Sequence, residues 1–140
     1  MAYDLSRFIK AQERSYETAL AEIRSGRKTS HWIWYIFPQL KGLGSSEMAK
    51  YYGIENLDEA KAYIANDSLR SHLLEISQAL LNLPNSDIEA VMGYPDNLKL
   101  RSSMTLFKLA EPNESVFQKV LDKYFAGAAD EKTIAMCEAK

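Results

Sequence analysis

The segment Asp67–Leu83, with the sequence DSLRSHLLEISQALLNL, carries the strongest periodic signal in the chain. Its apolar residues at 69, 73, 76, 80 and 83 recur at alternating steps of four and three. Such steps place side chains on one face of an α-helix, because the helix makes a turn about every 3.6 residues. We therefore predict an amphipathic helix that Asp67 or Ser68 opens and Pro84 ends.

Similar patterns extend on both sides of this segment. Asn56 with Glu59, and Ser86 with Glu89, resemble capping boxes, in which side chains pair with the free N–H groups of a helix start. Helical spacing predicts further helices over about 4–24, from Ser45 or Ser46 to Gly53, after Asn56, from Ser86 to Gly93, and over about 95–109, 116–125 and 130–138. Without an internal repeat or linker, this predicts an all-α fold: a compact single-domain globule of seven or eight short-to-medium helices over residues 1–140.

The composition argues against several classes of protein. The 140 residues carry a net charge of −2 with mixed signs, and nucleic-acid binders usually show a basic stripe. The only basic cluster, Arg24, Arg27 and Lys28, is interpreted as a solvated helix end. No apolar run is long enough for a membrane span, and the N-terminus lacks a signal-peptide pattern. The single cysteine, Cys137, favours a reducing compartment, so we expect a cytoplasmic protein.

Familiar catalytic and metal-binding motifs are missing. There is no phosphate-binding glycine loop and no serine nucleophile elbow. The two histidines, His31 and His72, are far apart in sequence, so we expect no metal site and no cofactor. Cys137 lies beside Glu138, which disfavours the thiolate, and is interpreted as structural. The sequence makes no prediction of the oligomeric state.

The segment HWIWYIFPQ at 31–39 is the first candidate for a functional surface. Seven of its nine residues are aromatic, β-branched or proline, and we expect a short helix that begins at His31 and ends at Pro38. One interpretation is a core helix, because a segment that is apolar all round belongs in the interior. The other is that its polar edge and the following glycine loop line a pocket for a base or sugar. The pocket residues would be His31, Trp34, Tyr35, Gln39, Lys41, Gly42 and Gly44.

A second candidate is the predicted helix that follows Tyr94-Pro95. Lys99, Ser102 and Ser103 share one face of it, because they are three and four residues apart. Hydroxyls beside an ammonium group form an anion-binding patch, or an activated serine if the lysine is neutral. The alternative is a polar face whose hydroxyl pair allows close helix packing. Asp96 is the nearest carboxylate and could equally be an N-cap.

These segments also carry a resemblance to a known family. The ordered pattern consists of 31–39 with Gly42-Leu43-Gly44 and Ser46, Tyr52-Gly53-Ile54, Glu59-Ala60 with Tyr63, and Lys99-Leu100 with 102–107. It resembles the domain-of-unknown-function 1810 family, whose members are sometimes labelled calpastatin, and it extends over nearly the whole chain. One departure is Asn66-Asp67-Ser68, where the family pattern favours a His-Pro pair.

The resemblance implies a compact all-α single domain and no established reaction or catalytic residue. The calpastatin label does not suit this chain, because such inhibitors are disordered and this composition describes a folded globule. Our leading hypothesis is a pocket between the His31–Ser46 segment and the Lys99–Ser103 helix. It would bind or hydrolyse a nucleotide or phosphorylated sugar, a small anionic ligand, with His31 as general acid or base. The alternative is a noncatalytic module that presents an aromatic patch to a protein partner.

Overall fold

The computed structural model describes residues 3–138; positions 1–2 and 139–140 of the predicted domain lie outside the described residues. The described part is all-α, as predicted. It contains nine helices rather than seven or eight, and the two shortest, α2 and α6, have four and five residues. The helices are α1 (Ser6–Arg24), α2 (Ile33–Ile36), α3 (Glu47–Tyr52), α4 (Leu57–Ala65), α5 (Asp67–Asn82), α6 (Ile88–Met92), α7 (Asp96–Ala110), α8 (Val116–Phe125) and α9 (Glu131–Glu138).

Side-chain caps fix where several helices begin. Ser46 and Asn56 cap α3 and α4, as predicted, by accepting from backbone N–H groups three residues ahead. Two caps lie one residue from the predicted position. Asn66 rather than Asp67 or Ser68 caps α5, because the extended backbone at Asn66 directs its oxygen at the first turn. Asp87 rather than Ser86 caps α6 in the same way.

Helix α7 lies at the centre of the packing and contacts α2, α4, α6, α8 and α9. A chain of aromatic rings crosses the core from helix to helix. Phe8 of α1 meets the Tyr63 ring edge-on at 5.1 Å between centroids, and Tyr63 of α4 lies 5.0 Å from Phe107 of α7. Phe107 then contacts Phe117 of α8 at 6.1 Å. These buried contacts anchor α7 in the core.

One polar side chain, Gln12 of α1, is buried in this core and is only 3% exposed. Its Nε2 donates to the Tyr35 carbonyl and to the Tyr63 hydroxyl, each at 2.9 Å. Because its carboxamide oxygen can only accept, His72 Nδ1 donates to that oxygen at 2.8 Å. Burial lowers the pKa of His72, although the carboxylates of Glu75 and Glu17 oppose the shift. Gln12 thus ties α1 to the aromatic segment and to α4 and α5.

The loop between α1 and α2 is fixed by one carboxylate, that of Glu22. Its Oε1 accepts from Thr29 N at 2.8 Å, Ser30 N at 3.0 Å and Trp32 Nε1 at 2.9 Å, and its Oε2 accepts from Ser30 Oγ at 2.5 Å. The burial of Glu22 opposes ionisation, but these hydrogen bonds outweigh it and lower its pKa to about 2. Glu22 therefore sets the path by which the chain enters the aromatic segment.

The loop after α2 is fixed by backbone pairing. Ile54 N donates to Gln39 O at 2.9 Å and Lys41 N donates to Ile54 O at 2.8 Å, which forms one isolated parallel bridge between Leu40 and Ile54. A β-carbon at Gly53 would lie 2.7 Å from Lys41 Cα, so only glycine allows this close approach. The pairing holds Gln39 and the following loop against α3. Over residues 3–138, no helix has both the length and the apolar character needed to cross a membrane.

Candidate functional site

The aromatic segment is mostly core. Its helix begins at Ile33 rather than at His31, and the Ser30 hydroxyl, which could have capped a helix from His31, donates to Glu22 instead. The buried side chains of the segment are Trp32, Ile33, Tyr35, Ile36, Phe37 and Pro38. Trp34 is half-buried and faces α7, and Gln39 is half-buried at the end of the segment. The core interpretation therefore holds for most of the segment, and two side chains form an accessible edge.

This edge meets α7 at a groove of about 330 Å³. Ligand pockets commonly occupy about 300 to 1,000 Å³, so the groove has room for a small molecule. Lys99 lies across the groove from the loop at 39–44, and its ammonium group is 5.5 Å from the centre of the Trp34 ring. The groove is lined by Gln39, Leu43, Gly44, Pro95, Leu98, Lys99, Ser102, Asp130 and Lys132.

A narrower recess shares Gln39 and Lys99 with the groove. It measures about 10 Å³, which is about the space that one water molecule needs. The Trp34 indole lies in its wall, and the Trp34 Nε1 donor is buried without a hydrogen-bond partner among the described residues. The other wall residues are Ile33, Phe37, Ala49, Tyr52 and Gly53, so most of the recess is apolar.

Two lysines share one carboxylate beside the groove. Asp96 Oδ2 lies 2.7 Å from Lys28 Nζ, and Asp96 Oδ1 lies 3.5 Å from Lys99 Nζ. The Lys28 side chain is only 7% exposed and also donates to the Ser30 carbonyl at 2.7 Å. Lys28 makes the shorter contact with Asp96, so Lys99, which also lines the groove, is the more weakly paired of the two lysines.

The other end of the groove is built where α7 meets the start of α9. Ser102 Oγ donates to Asp130 Oδ2 at 2.9 Å, and Thr133 Oγ1 donates to the same oxygen. Asp130 N donates to Thr105 Oγ1 at 2.9 Å, which fixes Asp130 from both sides. Lys132 lies two residues further along the chain and is exposed. The groove is therefore lined by two ammonium groups and by one carboxylate, that of Asp130, whose Oδ2 accepts two hydrogen bonds.

The structure brings five of the ten predicted site residues together: Trp34, Gln39, Gly44, Lys99 and Ser102. Five others lie outside the lining of the groove and the recess. His31 is exposed, and Ser103 is fully buried. Tyr35 is 8% exposed, and its hydroxyl donates a hydrogen bond to Ser15 Oγ. Lys41 pairs with Glu55 at 3.2 Å, and Gly42 lies under the Met136 side chain.

Sequence reasoning missed Asp130 and Lys132. Neither residue belongs to a local sequence motif. Asp130 reaches the site through a hydrogen bond with Ser102, which lies 28 residues away in the sequence. No group of three or more His, Cys, Asp or Glu residues within 3–138 is arranged to hold a metal ion. Burial raises the pKa of the Cys137 thiol and Glu138 adds to the shift, which suits the structural interpretation of this cysteine.

Gly44 sets the width of the groove, and we expect Gly44→Ala to lower the free energy of unfolding by about 1–2 kcal/mol. A β-carbon at this position would lie 2.8 Å from Ala49 Cβ and 3.4 Å from Gln39 Nε2. Ala49 Cβ is fixed on α3, so the loop and Gln39 must move instead. Urea denaturation measures the change. The substitution should cost less in an Ala49→Gly background, which removes the opposing methyl group, and an equal cost in both backgrounds would contradict this explanation.

Comparisons with known proteins place the chain in a family. A solved structure that is similar to it is that of the conserved hypothetical protein Rv1873 from Mycobacterium tuberculosis, with 43% sequence identity and a TM-score of 0.96 over 99% of each chain. Among functionally curated proteins, none matches the chain significantly. The sequence profile of DUF1810, described as a protein of unknown function, matches residues 2–137. The chain therefore belongs to the DUF1810 family.

Proposed function

We propose that this protein binds a small phosphate-bearing ligand, a nucleotide or a phosphorylated sugar, in the groove between the loop at 39–44 and α7. The observation that carries the proposal is the convergence of Lys99, Lys132 and Gln39 on one groove of about 330 Å³. Gln39 and Lys99 also line the adjoining recess, in whose wall Trp34 lies. The two ammonium groups that line this groove favour the binding of an anion. Its size matches a single small molecule.

The lining suits a ligand with a charged and an apolar part. Lys99 and Lys132 supply charge-assisted hydrogen bonds to phosphate oxygens. Leu43, Pro95 and Leu98 offer apolar surface to the remainder of the ligand. Because His31 does not line the groove, the proposal covers binding and assigns no catalytic role to that histidine. We also propose a cytoplasmic location, on the ground that the sequence contains a single cysteine.

The alternative, an aromatic patch for a protein partner, has less support. It requires Trp34 or Tyr35 on a flat exposed surface, but Tyr35 is 8% exposed and Trp34 lies beneath the Lys99 ammonium group. The large apolar side chains that are exposed are instead Met48, Tyr51, Tyr94 and Leu98. The geometry therefore favours a small ligand in the groove.

Isothermal titration with ribose phosphate and with nucleoside monophosphates tests this proposal. We expect Lys99→Gln to weaken binding by about tenfold or more, because a hydrogen bond to a charged group contributes about 1.5–3 kcal/mol. Glutamine preserves most of the length of the side chain and removes only its charge. Wild-type binding should also weaken as salt is raised.

The matched control is Lys119→Gln, which removes the same charge from an exposed position on α8 that does not line the groove. Its affinity should equal that of the wild type. If none of these ligands binds, or if both variants lose affinity equally, the proposal is wrong.

A further inference from the structure

The recess beside Trp34 indicates which part of a ligand enters it. We propose that the groove selects nucleotides whose base carries an oxo group next to a ring N–H, with the oxo oxygen seated in the recess against the Trp34 indole. This inference rests on the proposed function and specifies the class of ligand. In this arrangement Trp34 Nε1 donates to the oxo oxygen, and Gln39 accepts from the ring N–H.

The Trp34 indole carries a buried hydrogen-bond donor. Trp34 Nε1 has no hydrogen-bond partner within residues 3–138, and an indole nitrogen can only donate. The other tryptophan shows how this fold usually satisfies such a group, since Trp32 Nε1 donates to Glu22 at 2.9 Å. A buried donor needs an acceptor, and the recess has room for one water molecule that could serve as one. A ligand that displaces this water must therefore bring an acceptor atom to Trp34 Nε1.

The size and lining of the recess define that acceptor. About 10 Å³ accommodates roughly one oxygen atom, not a phosphate group with three terminal oxygens. A sugar hydroxyl is also a poor fit, because its own hydrogen would face the apolar side chains of Phe37 and Ala49. A base oxo oxygen carries no hydrogen and needs no further donor site. The oxo oxygen accepts the hydrogen bond of the Trp34 indole N–H and brings no additional donor that would remain unpaired in the recess.

Gln39 explains why an oxo group is preferred to an amino group. The Gln39 carboxamide lines both the recess and the groove, and it can accept through its oxygen. The edge of an oxo-bearing base presents an acceptor oxygen beside a ring N–H donor. The oxygen complements the Trp34 donor, and the ring N–H complements the Gln39 carboxamide oxygen. An amino edge would set its donor against the indole donor and leave both unpaired. Sites built on buried polar groups discriminate strongly against such mismatches.

Titration of the wild-type protein with inosine monophosphate, adenosine monophosphate and ribose phosphate tests the inference. The two nucleotides differ only at the oxo or amino edge of the purine. We expect the inosine nucleotide to bind about tenfold tighter than the adenosine nucleotide. Trp34→Phe, which keeps a ring and removes the N–H, should bring the two affinities together. Lys119→Gln should keep the wild-type ratio.

A second measurement on the wild type does not depend on the stability of a variant. The two indole N–H groups give separate signals in a nitrogen–proton correlation spectrum. The inosine nucleotide should shift the Trp34 signal and leave that of Trp32, which is bonded to Glu22, in place. Equal affinities for the two nucleotides together with an unshifted Trp34 signal would overturn the inference, while binding of ribose phosphate would leave the proposed function standing. If none of the three ligands binds, the proposed function itself fails.

Discussion

Glu22→Ala is expected to lower the free energy of unfolding by about 3 kcal/mol. The substitution removes the acceptor of four hydrogen bonds, from Thr29 N, Ser30 N, Ser30 Oγ and Trp32 Nε1. The Trp32 indole is 1% exposed, so its N–H would remain buried without a partner, whereas the N–H of exposed Thr29 can turn to water. Urea denaturation followed by circular dichroism measures the loss.

Glu13→Ala is the matched control. Glu13 is also on α1, is exposed and makes no ion pair or side-chain hydrogen bond within the described part of the chain. Its replacement should change stability by at most about 0.5 kcal/mol. A Glu22→Ala protein as stable as the control would show that the loop at 25–32 does not depend on this carboxylate.

The same contact predicts a dependence on pH. The hydrogen bonds lower the pKa of Glu22 to about 2, against an ordinary value of 4.5, although burial alone would raise it. A group whose pKa is lower in the folded state stabilises the fold when ionised, so the contribution of Glu22 is complete above about pH 4.5. It is lost as the pH falls from there towards 2. The difference in stability between wild type and Glu22→Ala should therefore shrink over this window.

Glu22 also shows why the start of the aromatic segment could not be predicted from the sequence. Ser30 is a good N-cap residue and the following residues tolerate a helix, so local rules favour a start at His31. The carboxylate of Glu22, eight residues before Ser30, instead accepts from the Ser30 hydroxyl that would cap such a helix. Local propensity is overridden by a contact that no spacing rule describes. By contrast, the period of α5 and the caps of α3 and α4 depend on neighbours within four residues, and these predictions are confirmed.

The candidate site likewise contains residues that local sequence patterns predict and residues that only the tertiary packing brings there. The concentration of unusual polar residues in two segments predicts one concave surface shared by His31, Gln39 and Lys99. Gln39 and Lys99 share such a surface, whereas His31 is exposed and lies outside its lining. Ser102 and Ser103 could not be separated by that argument, because both are within one turn of Lys99. Packing decides between them: Ser102 bonds to Asp130 at the groove, whereas Ser103 is turned into the core and is fully buried. Lys132 reaches the groove only because α9 packs on α7, and this contact has no local signature.

Gln12→Ala is expected to have the largest effect, a loss of about 4 kcal/mol in the free energy of unfolding. Gln12 is 3% exposed and is bonded to the Tyr35 carbonyl, the Tyr63 hydroxyl and His72 Nδ1. Truncation leaves these three groups without their Gln12 partner and opens a cavity beside them. The Tyr35 carbonyl belongs to the aromatic segment, so α2 should loosen against α1. Urea denaturation measures the loss.

Two comparisons separate the buried network from a general effect of losing a glutamine. Gln78→Ala removes an exposed side chain that donates to Asn82 at 3.1 Å, and it should cost at most about 0.5 kcal/mol. Tyr63→Phe removes only the hydroxyl that accepts from Gln12, so its cost should be about 1 kcal/mol alone and smaller in a Gln12→Ala background. Strict additivity of the two substitutions would contradict the network. Coupling between them would show that one amide joins α1 and α4 behind the segment from which Trp34 and Gln39 reach the groove.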